Sequence, residues 1–198
     1  MTSSTAGSAA PPVSRLLREA THDQHQAVEQ LPAMRLLAQG RVSAAQYVDV
    51  LRRHHRVLAG WERQHAAWLA TLADGDWHYL PRTPLLARDL AALRAAPAPA
   101  QAAPDAPDPA HRWGMLYVIE GSRLGGRVIA RQLRAVLAEL APALSYFELG
   151  HADTASWRRF QQRLERALPG ASQRQAAVDG ARAMFAHFHT HLALETAA

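Results

Sequence analysis

Residues 113–129 read WGMLYVIEGSRLGGRVI, a stretch rich in apolar residues that contains several glycines. The apolar residues recur at helical spacing without an intervening proline, so this stretch predicts a helix. Gly121, Gly125 and Gly126 fall inside it, where each glycine costs about 1 kcal/mol relative to alanine. Two explanations are open for that cost. The glycines allow another helix to pack closely, or they let a flat ligand lie against bare backbone and let the helix kink.

The composition of the whole chain favours a helical protein. The 198 residues are 48% hydrophobic, which is enough for one sizeable core. Alanine, leucine, arginine and glutamine dominate, whereas β-branched residues are sparse. We therefore predict an all-α single domain over residues 14–198, preceded by a disordered tail at residues 1–13. The Ala/Pro-rich segment 95–110 is predicted to be a loop inside the domain.

Several functional classes are excluded or disfavoured by composition and charge. The chain has no cysteine, which excludes disulfides, thiolate metal sites and cysteine nucleophiles and fits a reducing compartment such as the cytoplasm. No basic tract contains interleaved aromatic residues, so the net charge of +5 does not predict nucleic-acid binding. An acidic protein partner is compatible with that charge. No run approaches the about 18 apolar residues of a membrane span.

Capping residues, prolines and glycines divide the chain into further helices. Ser14, Ser43 and Thr83 are candidate helix starts. The predicted helices cover residues 15–31, a broken segment within 32–42, 44–72, 84–94, 132–140 as a continuation of the glycine-bearing helix, 157–168 and 171–195.

Two groups of basic residues have competing interpretations. Residues 52–56 read RRHHR on the long helix and are interpreted as a solvated face, with a docking surface for an acidic partner as the alternative. His187 and His191 share a helix face at i, i+4 spacing, as a metal pair does. We favour a structural role for both histidines, because no carboxylate clusters with them.

His25 lies at the border of the apolar stripe of the first helix, about 120° from the centre of the stripe, whereas His22 lies nearly opposite the stripe. A border histidine is either a solvated or edge-packed side chain or a ligand that reaches over one edge of the helix. Glu29, one turn further on, either hydrogen-bonds the imidazole or is a surface residue.

Taken together, two stretches resemble the heme oxygenase family. LREATHDQHQAVE at residues 17–29 is similar to the first-helix motif of that family, in which a histidine ligates heme iron, and the match assigns this role to His25. YVIEGSRLGGRVIARQL at residues 117–133 resembles the distal helix of the same family. FELG at 147–150, followed by WRRF at 157–160, is similar to a segment of bacterial members.

The resemblance spans about residues 14–195 and implies that heme lies between the first helix and a kinked distal helix. Heme is both cofactor and substrate in this family, and O₂ and external electrons cleave it to biliverdin, CO and ferrous iron. By the resemblance, His25 binds the iron through Nε2, and Glu29 or water occupies Nδ1. Gly121 and Gly125 let backbone approach the distal face and direct O₂ toward the ring.

At one position the chain departs from the animal members of the family. Ser122 stands where those members have an aspartate that organises water for proton delivery. A serine holds water but is not acidic at neutral pH, so the route of the protons is open. Arg18 and Arg158 match basic positions and are expected to bind the heme propionates. Tyr117 and Phe185 are candidate pocket residues.

The resemblance also implies partners and leaves rival functions. The electrons come from a ferredoxin or a reductase, and a bilin-binding photoreceptor is a candidate acceptor of the product. A non-catalytic heme carrier or sensor would keep His25 and the glycines, whereas a plain helical interaction domain would bind no heme. A thiamin-degrading enzyme of similar architecture needs a nucleophilic cysteine, which this chain lacks.

Overall fold

The computed structural model describes residues 11–193, apart from the side chains of residues 138 and 139, and this part of the chain is helical with no strand. The predicted all-α class is therefore confirmed. None of the described helices combines the length and hydropathy needed to cross a bilayer. The helices are α1 Val13–Ala20, α2 His22–Glu29, α3 Pro32–Ala38, α4 Ala44–Gln64, α5 Ala66–Ala70, α6 Thr83–Ala92, α7 Pro109–Val136, α8 Ser156–Ala167 and α9 Ala171–Ala193, with a 3₁₀ turn at Ala138–Ala143.

Helices α7 and α9 cross at the centre of the molecule, and glycines make their close approach possible. A Cβ on Gly114 would lie 1.8 Å from the carbonyl oxygen of Ala177, and one on Gly180 would lie 2.1 Å from that of His111. No side chain fits at either position, so the two backbones touch directly. Large buried side chains surround the crossing, among them Leu17, Trp61, Met115, Leu116, Phe160 and Met184.

Thr21 divides the predicted single first helix into α1 and α2. Its amide donates to the carbonyl oxygen of Leu17 at 3.1 Å, and its hydroxyl donates to the same oxygen at 2.7 Å. The backbone at Thr21, with φ −122° and ψ 15°, departs from helical values. Ser14, the predicted N-cap, lies inside α1, which begins at Val13. Both the unbroken helix and this cap are therefore wrong.

Most of the predicted N-terminal tail lies outside the described residues, as do residues 194–198. Val13, which was assigned to the tail, is fully buried and begins α1. The helical domain therefore begins at or before Val13, because this side chain is part of the core.

Ser43 caps α4 as predicted. Its Oγ accepts the amide of Gln46 at 3.2 Å, and Oε1 of Gln46 accepts the amide of Ser43 at 2.8 Å, which makes a capping box. Helix α4 ends at Gln64, and after a break at His65 the short α5 continues, so the long helix is shorter than predicted.

The basic run of α4, RRHHR at residues 52–56, is not a solvated face, and that prediction is wrong. Arg53, His54 and His55 are all buried. Nδ1 of His55 lies 3.0 Å from the carbonyl oxygen of Ala98, in the Ala/Pro-rich segment. Since this segment and the core cover the run, it does not form the exposed docking surface that was the alternative interpretation.

The Ala/Pro-rich segment is non-helical over residues 95–108 and runs along α4. The amide of Gln101 donates to the carbonyl oxygen of Arg56 at 2.9 Å. A Cβ on Gly60 would lie 1.5 Å from the carbonyl oxygen of Gln101, so α4 carries glycine where the segment passes. The segment ends at residue 108, where the side chain of Asp108 caps α7, so residues 109 and 110 of the predicted loop belong to that helix.

Candidate functional site

The glycines of α7 fall into two kinds according to their surroundings. A Cβ on Gly126 would lie 3.2 Å from the carbonyl oxygen of Phe147, so glycine permits close packing there. Apart from the adjacent residues and the nearby backbone of α7 itself, no described atom lies within 4 Å of a Cβ on Gly125, and a Cβ on Gly121 would meet only the Trp157 ring at an ordinary 3.7 Å. Packing therefore explains Gly126 but neither Gly121 nor Gly125.

Exposed apolar side chains lie beside the bare backbone at these two glycines and form a continuous surface with it. The exposed fraction is 45% for Leu124 and 51% for Val128, which is high for large apolar residues. At about 100° per residue, both side chains project on the same side of α7 as Gly121 and Gly125. These four residues form the open face of α7.

His25 stands exposed on α2, with 56% of its side chain accessible. The edge of its ring packs against Phe185 of α9, with ring centroids 5.8 Å apart and planes at 85°. Oε1 of Glu29 lies 3.6 Å from Nε2, beyond hydrogen-bonding distance. The structure thus places Glu29 beside Nε2, the nitrogen expected for iron, rather than on Nδ1. Both side chains are solvated, so this contact is weak.

Helix α9 supports both α2 and α7. Phe185 of α9 is buried and contacts His25, while Gly180 of the same helix receives the backbone of α7. Burial raises the pKa of Tyr117 on α7, and the nearby charge of Arg18 on α1 opposes that shift. Helix α9 therefore contacts both α2 and α7, and α1 lies beside α7.

The two predicted propionate partners, Arg18 and Arg158, are exposed on α1 and α8. Arg158 follows Trp157, whose ring lies with its centroid 5.8 Å from that of Tyr117 and also contacts the Gly121 position. Arg18 is therefore near the end of the open face where Tyr117 and Gly121 lie, and Arg158 follows the residue of α8 that contacts this end.

Ser122 lies on the flank of α7 beside the open face. Its hydroxyl donates to the carbonyl oxygen of Ile119 at 2.8 Å. Burial raises the pKa of Tyr146, and Ser122 opposes that shift, so the two side chains are neighbours. The sequence analysis nominated neither Tyr146 nor Trp157. Trp157 lies within a matched motif, but Tyr146 follows the 3₁₀ turn, where no helical period indicates which way a side chain points.

A buried network of charges lies on the core side of α7. Arg82 pairs with Glu120, and Glu120 also accepts a hydrogen bond from Arg123 at 2.9 Å. Burial disfavours the charge on Arg82, but Glu120 and Tyr79 raise its pKa above the usual value. The network is paired internally, as buried charges must be, so it holds α7 in place against its neighbours.

His187 and His191 face each other on α9, with ring centroids 4.5 Å apart. Burial lowers the pKa of His187 to about 4, and the charge of Arg56 lies near His191. Within residues 11–193, no group of three or more His, Cys, Asp or Glu side chains is arranged to hold a metal ion. A positive neighbour also disfavours a cation at this pair.

Comparisons with known proteins point to one family. The family model described as heme oxygenase matches residues 12–193. A heme oxygenase of Xanthomonas campestris pv. campestris (strain 8004) is 56% identical over 162 residues, which are 82% of this chain and 98% of that protein.

Two solved structures share the fold. The NO- and CO-bound heme oxygenase of Neisseria meningitidis superposes with a TM-score of 0.69 at 21% identity, covering 92% of this chain and 91% of that one. The heme oxygenase of Leptospira interrogans gives 0.71 at 17% identity, covering 92% and 99%. At these identities the two structures support the helical architecture alone.

Proposed function

Since the chain belongs to the heme oxygenase family, we propose that heme binds between α2 and the open face of α7, with its iron on His25. The chain is an oxygenase that degrades heme, as the family match and the identity to the Xanthomonas enzyme show. This result favours an enzyme over the carrier and interaction domain that the sequence left open. The observation that carries the proposed placement is the bare backbone of Gly121 and Gly125, which no packing requires.

The residues of this region suit a heme. Leu124 and Val128 offer apolar contact to a porphyrin ring, and the glycines between them leave room for a planar molecule. An exposed histidine is a common axial ligand of heme iron. Phe185 packs against the ring of His25 and restricts its rotation, which orients the ligand.

When bound, heme supplies an iron that activates O₂ and a ring that is itself cleaved to biliverdin, CO and ferrous iron. The residues of the chain would position the heme for this reaction. The backbone at Gly121 and Gly125 would restrict the space beside a bound heme, and Leu124 and Val128 would exclude water from it.

The exposed guanidinium groups of Arg18 and Arg158 bind the two propionates in this arrangement. Arginine pairs with carboxylates through two parallel hydrogen bonds, so it fixes orientation as well as position. Because the propionates would define how the ring is rotated in its plane, these arginines would influence which meso carbon is cleaved.

The reaction needs electrons from outside the chain. We propose that a ferredoxin or reductase docks at the exposed basic rim of the heme site, to which Arg18 and Arg158 belong. We also propose that the reaction takes place in the cytoplasm, where such reduced donors occur. A bilin-binding photoreceptor is the proposed acceptor of the product.

A matched pair of variants tests the iron ligand. His22 and His25 are both exposed on α2, but only His25 packs against Phe185. We expect His25→Ala to abolish the histidine-ligated spectrum with hemin and ascorbate-driven bilin formation, whereas His22→Ala leaves both nearly intact. Absorption titration and bilin spectra measure this. Equal loss in both variants, or loss in His22→Ala alone, contradicts the assignment.

A further inference from the structure

We propose that a continuous chain of aromatic side chains carries oxidising equivalents from the proposed heme site to the protein surface at Trp68. This inference rests on the proposed placement of heme beside the open face of α7. It concerns the reaction of the bound heme with hydrogen peroxide, in which no external electron donor takes part. The aromatic chain then protects the heme site, because the oxidative damage falls on a distant side chain.

The aromatic chain begins beside the open face of α7. The ring of Trp157 lies 3.7 Å from the Cβ position of Gly121, and the centroids of the Trp157 and Tyr117 rings are 5.8 Å apart. The backbone of Gly121 is proposed to lie against the heme. Trp157 and Tyr117 are therefore oxidisable rings at the edge of the proposed heme site.

Ring contacts continue without a gap from Trp157 to Trp68. The centroid of Phe160 lies 5.5 Å from that of Trp157 and 6.2 Å from that of Trp113. The centroids of Trp113 and Trp68 are 5.5 Å apart. These separations are those of aromatic rings in contact. Phenylalanine is much harder to oxidise than tryptophan, so Phe160 serves as the contact across which an electron passes from Trp113 to Trp157.

The difference in burial between the two ends favours movement toward Trp68. Trp113 is 7% exposed, whereas Trp68 is half-buried and lines a surface cleft of about 590 Å³. An oxidised indole is positively charged, which the core disfavours, but at the surface it releases its N–H proton to water. The guanidinium carbon of Arg112 lies 5.9 Å from the centroid of the Trp68 ring, and this positive charge promotes the loss of the proton.

The other two tryptophans contact the chain as buried side branches. Trp61 is fully buried and contacts Trp68, with centroids 6.4 Å apart. Trp77 is 2% exposed and contacts Phe160, with centroids 5.0 Å apart. The chain also has no cysteine, a residue that oxidants commonly attack. Trp68 is therefore the surface end at which we expect a stable oxidation product.

The oxidation balances with hydrogen peroxide as the oxidant. At the heme, one peroxide molecule takes up two electrons and two protons and forms two molecules of water. Trp68 supplies the two electrons through the aromatic chain, its ring gains one oxygen atom from water, and two protons are released to solvent. The net reaction converts tryptophan and hydrogen peroxide to hydroxytryptophan and water.

The test treats the ferric heme complex with hydrogen peroxide and locates the added oxygen by peptide mass spectrometry. We expect Trp68 to gain oxygen in the wild type, while apoprotein treated in the same way gives the background of direct oxidation. Trp113→Phe should lower oxidation of Trp68 to that background and increase oxidation of Trp157, because the path is interrupted between them. Trp157→Phe, a second variant at the other end of the path, should also lower oxidation of Trp68 to background.

Trp77→Phe is the matched control, since it removes a buried indole that contacts Phe160 but does not lie between the heme site and Trp68. It should leave the wild-type oxidation pattern unchanged. Wild-type oxidation of Trp68 that does not exceed the apoprotein background, or full oxidation of Trp68 in a folded Trp113→Phe or Trp157→Phe variant, would overturn the inference alone. A wild-type complex without a histidine-ligated spectrum would overturn the heme placement and this inference with it.

Discussion

His54 is a titratable side chain placed deep in the core. It is 5% exposed and surrounded by the rings of Tyr146, Phe147 and Phe188. Its Nδ1 lies 2.8 Å from the carbonyl oxygen of Val50, to which the neutral ring donates. Burial lowers its pKa from 6.5 to about 4, because the charged imidazolium is poorly solvated there.

This shift predicts an acid-sensitive fold. Between about pH 6.5 and pH 4 the unfolded chain binds a proton at His54 that the folded chain does not, so stability falls as pH falls. The loss contributed by His54 is about 3 kcal/mol between pH 7 and pH 4. We expect His54→Gln to flatten the pH dependence of urea unfolding in this window, whereas His151→Gln, at an exposed position, leaves it unchanged. Equal slopes in wild type and His54→Gln would contradict this.

Helix α7 combines two uses of glycine along its length. At Gly114 and Gly126 another backbone lies where a side chain would project. At Gly125 the same kind of residue borders open space. Only the second use reduces helix stability without a compensating contact in the protein, which is why we assign Gly125 to the ligand.

Two alanine substitutions in α7 separate these uses. Gly125→Ala should leave the apoprotein unchanged or stabilise it by up to about 1 kcal/mol, since alanine is the better helix former. Gly114→Ala should destabilise it by about 1 to 3 kcal/mol through overpacking against Ala177. Thermal unfolding of the apoproteins measures both changes.

Measurements on the heme complex of Gly125→Ala complete this comparison. In Gly125→Ala the added methyl group occupies space over the ring, so we expect faster autoxidation of the ferrous-oxy complex or a changed pattern of bilin isomers, separated by chromatography. If Gly125→Ala destabilised the apoprotein and left the oxy-complex lifetime and the product pattern unaltered, the role of Gly125 would be packing rather than ligand binding.

At the scale of the whole molecule, the net charge of +5 comes from arginine and is unevenly exposed. Much of the basic run of α4 is buried, whereas Arg18, Arg131 and Arg158 are exposed on the helices that border the proposed heme site. We therefore expect an acidic electron donor to be drawn to the rim of that site rather than to α4.

Ionic strength tests this distribution. Turnover driven by a ferredoxin should fall steeply between low and physiological salt, because screening weakens attraction between exposed charges, while ascorbate-driven turnover should not. Arg131→Gln should reduce the salt dependence, and Arg52→Gln, on the basic run, should not. A flat response with the protein donor, or equal effects of the two variants, argues against docking at the rim.

Local sequence patterns were sufficient to predict most of the helices and to identify the family. Helices α6, α8 and α9 begin within one residue of their predicted starts, and the Ser43 cap is present, because caps and periodicity act over a few neighbouring residues. The two matched motifs identified heme oxygenase because each lies within one short stretch of chain. The choice of His25 as ligand also came from these stretches and stays a prediction.

Contacts between distant parts of the chain determined the features that the sequence did not predict. Whether RRHHR on α4 faced water depended on residues 95–108, which follow it by some forty positions and cover it. The position of Tyr146 beside α7 depended on Asp89, which accepts its amide, and on Tyr47, which donates to the carbonyl oxygen of Ala143. Periodicity reports only which side of a helix is apolar, so it does not show what lies against a particular position.

The glycines of α7 show the same division most clearly. Their sequence predicted a helix and a cost in helix stability, but it was equally compatible with close packing and with a ligand. The space around each Cβ position distinguished the two, because Phe147 lies against Gly126, whereas no described atom beyond the adjacent stretch of α7 lies within 4 Å of a Cβ on Gly125. A missing side chain has the same local effect on the helix in both cases, and only the arrangement of the other helices determines what occupies the space it leaves.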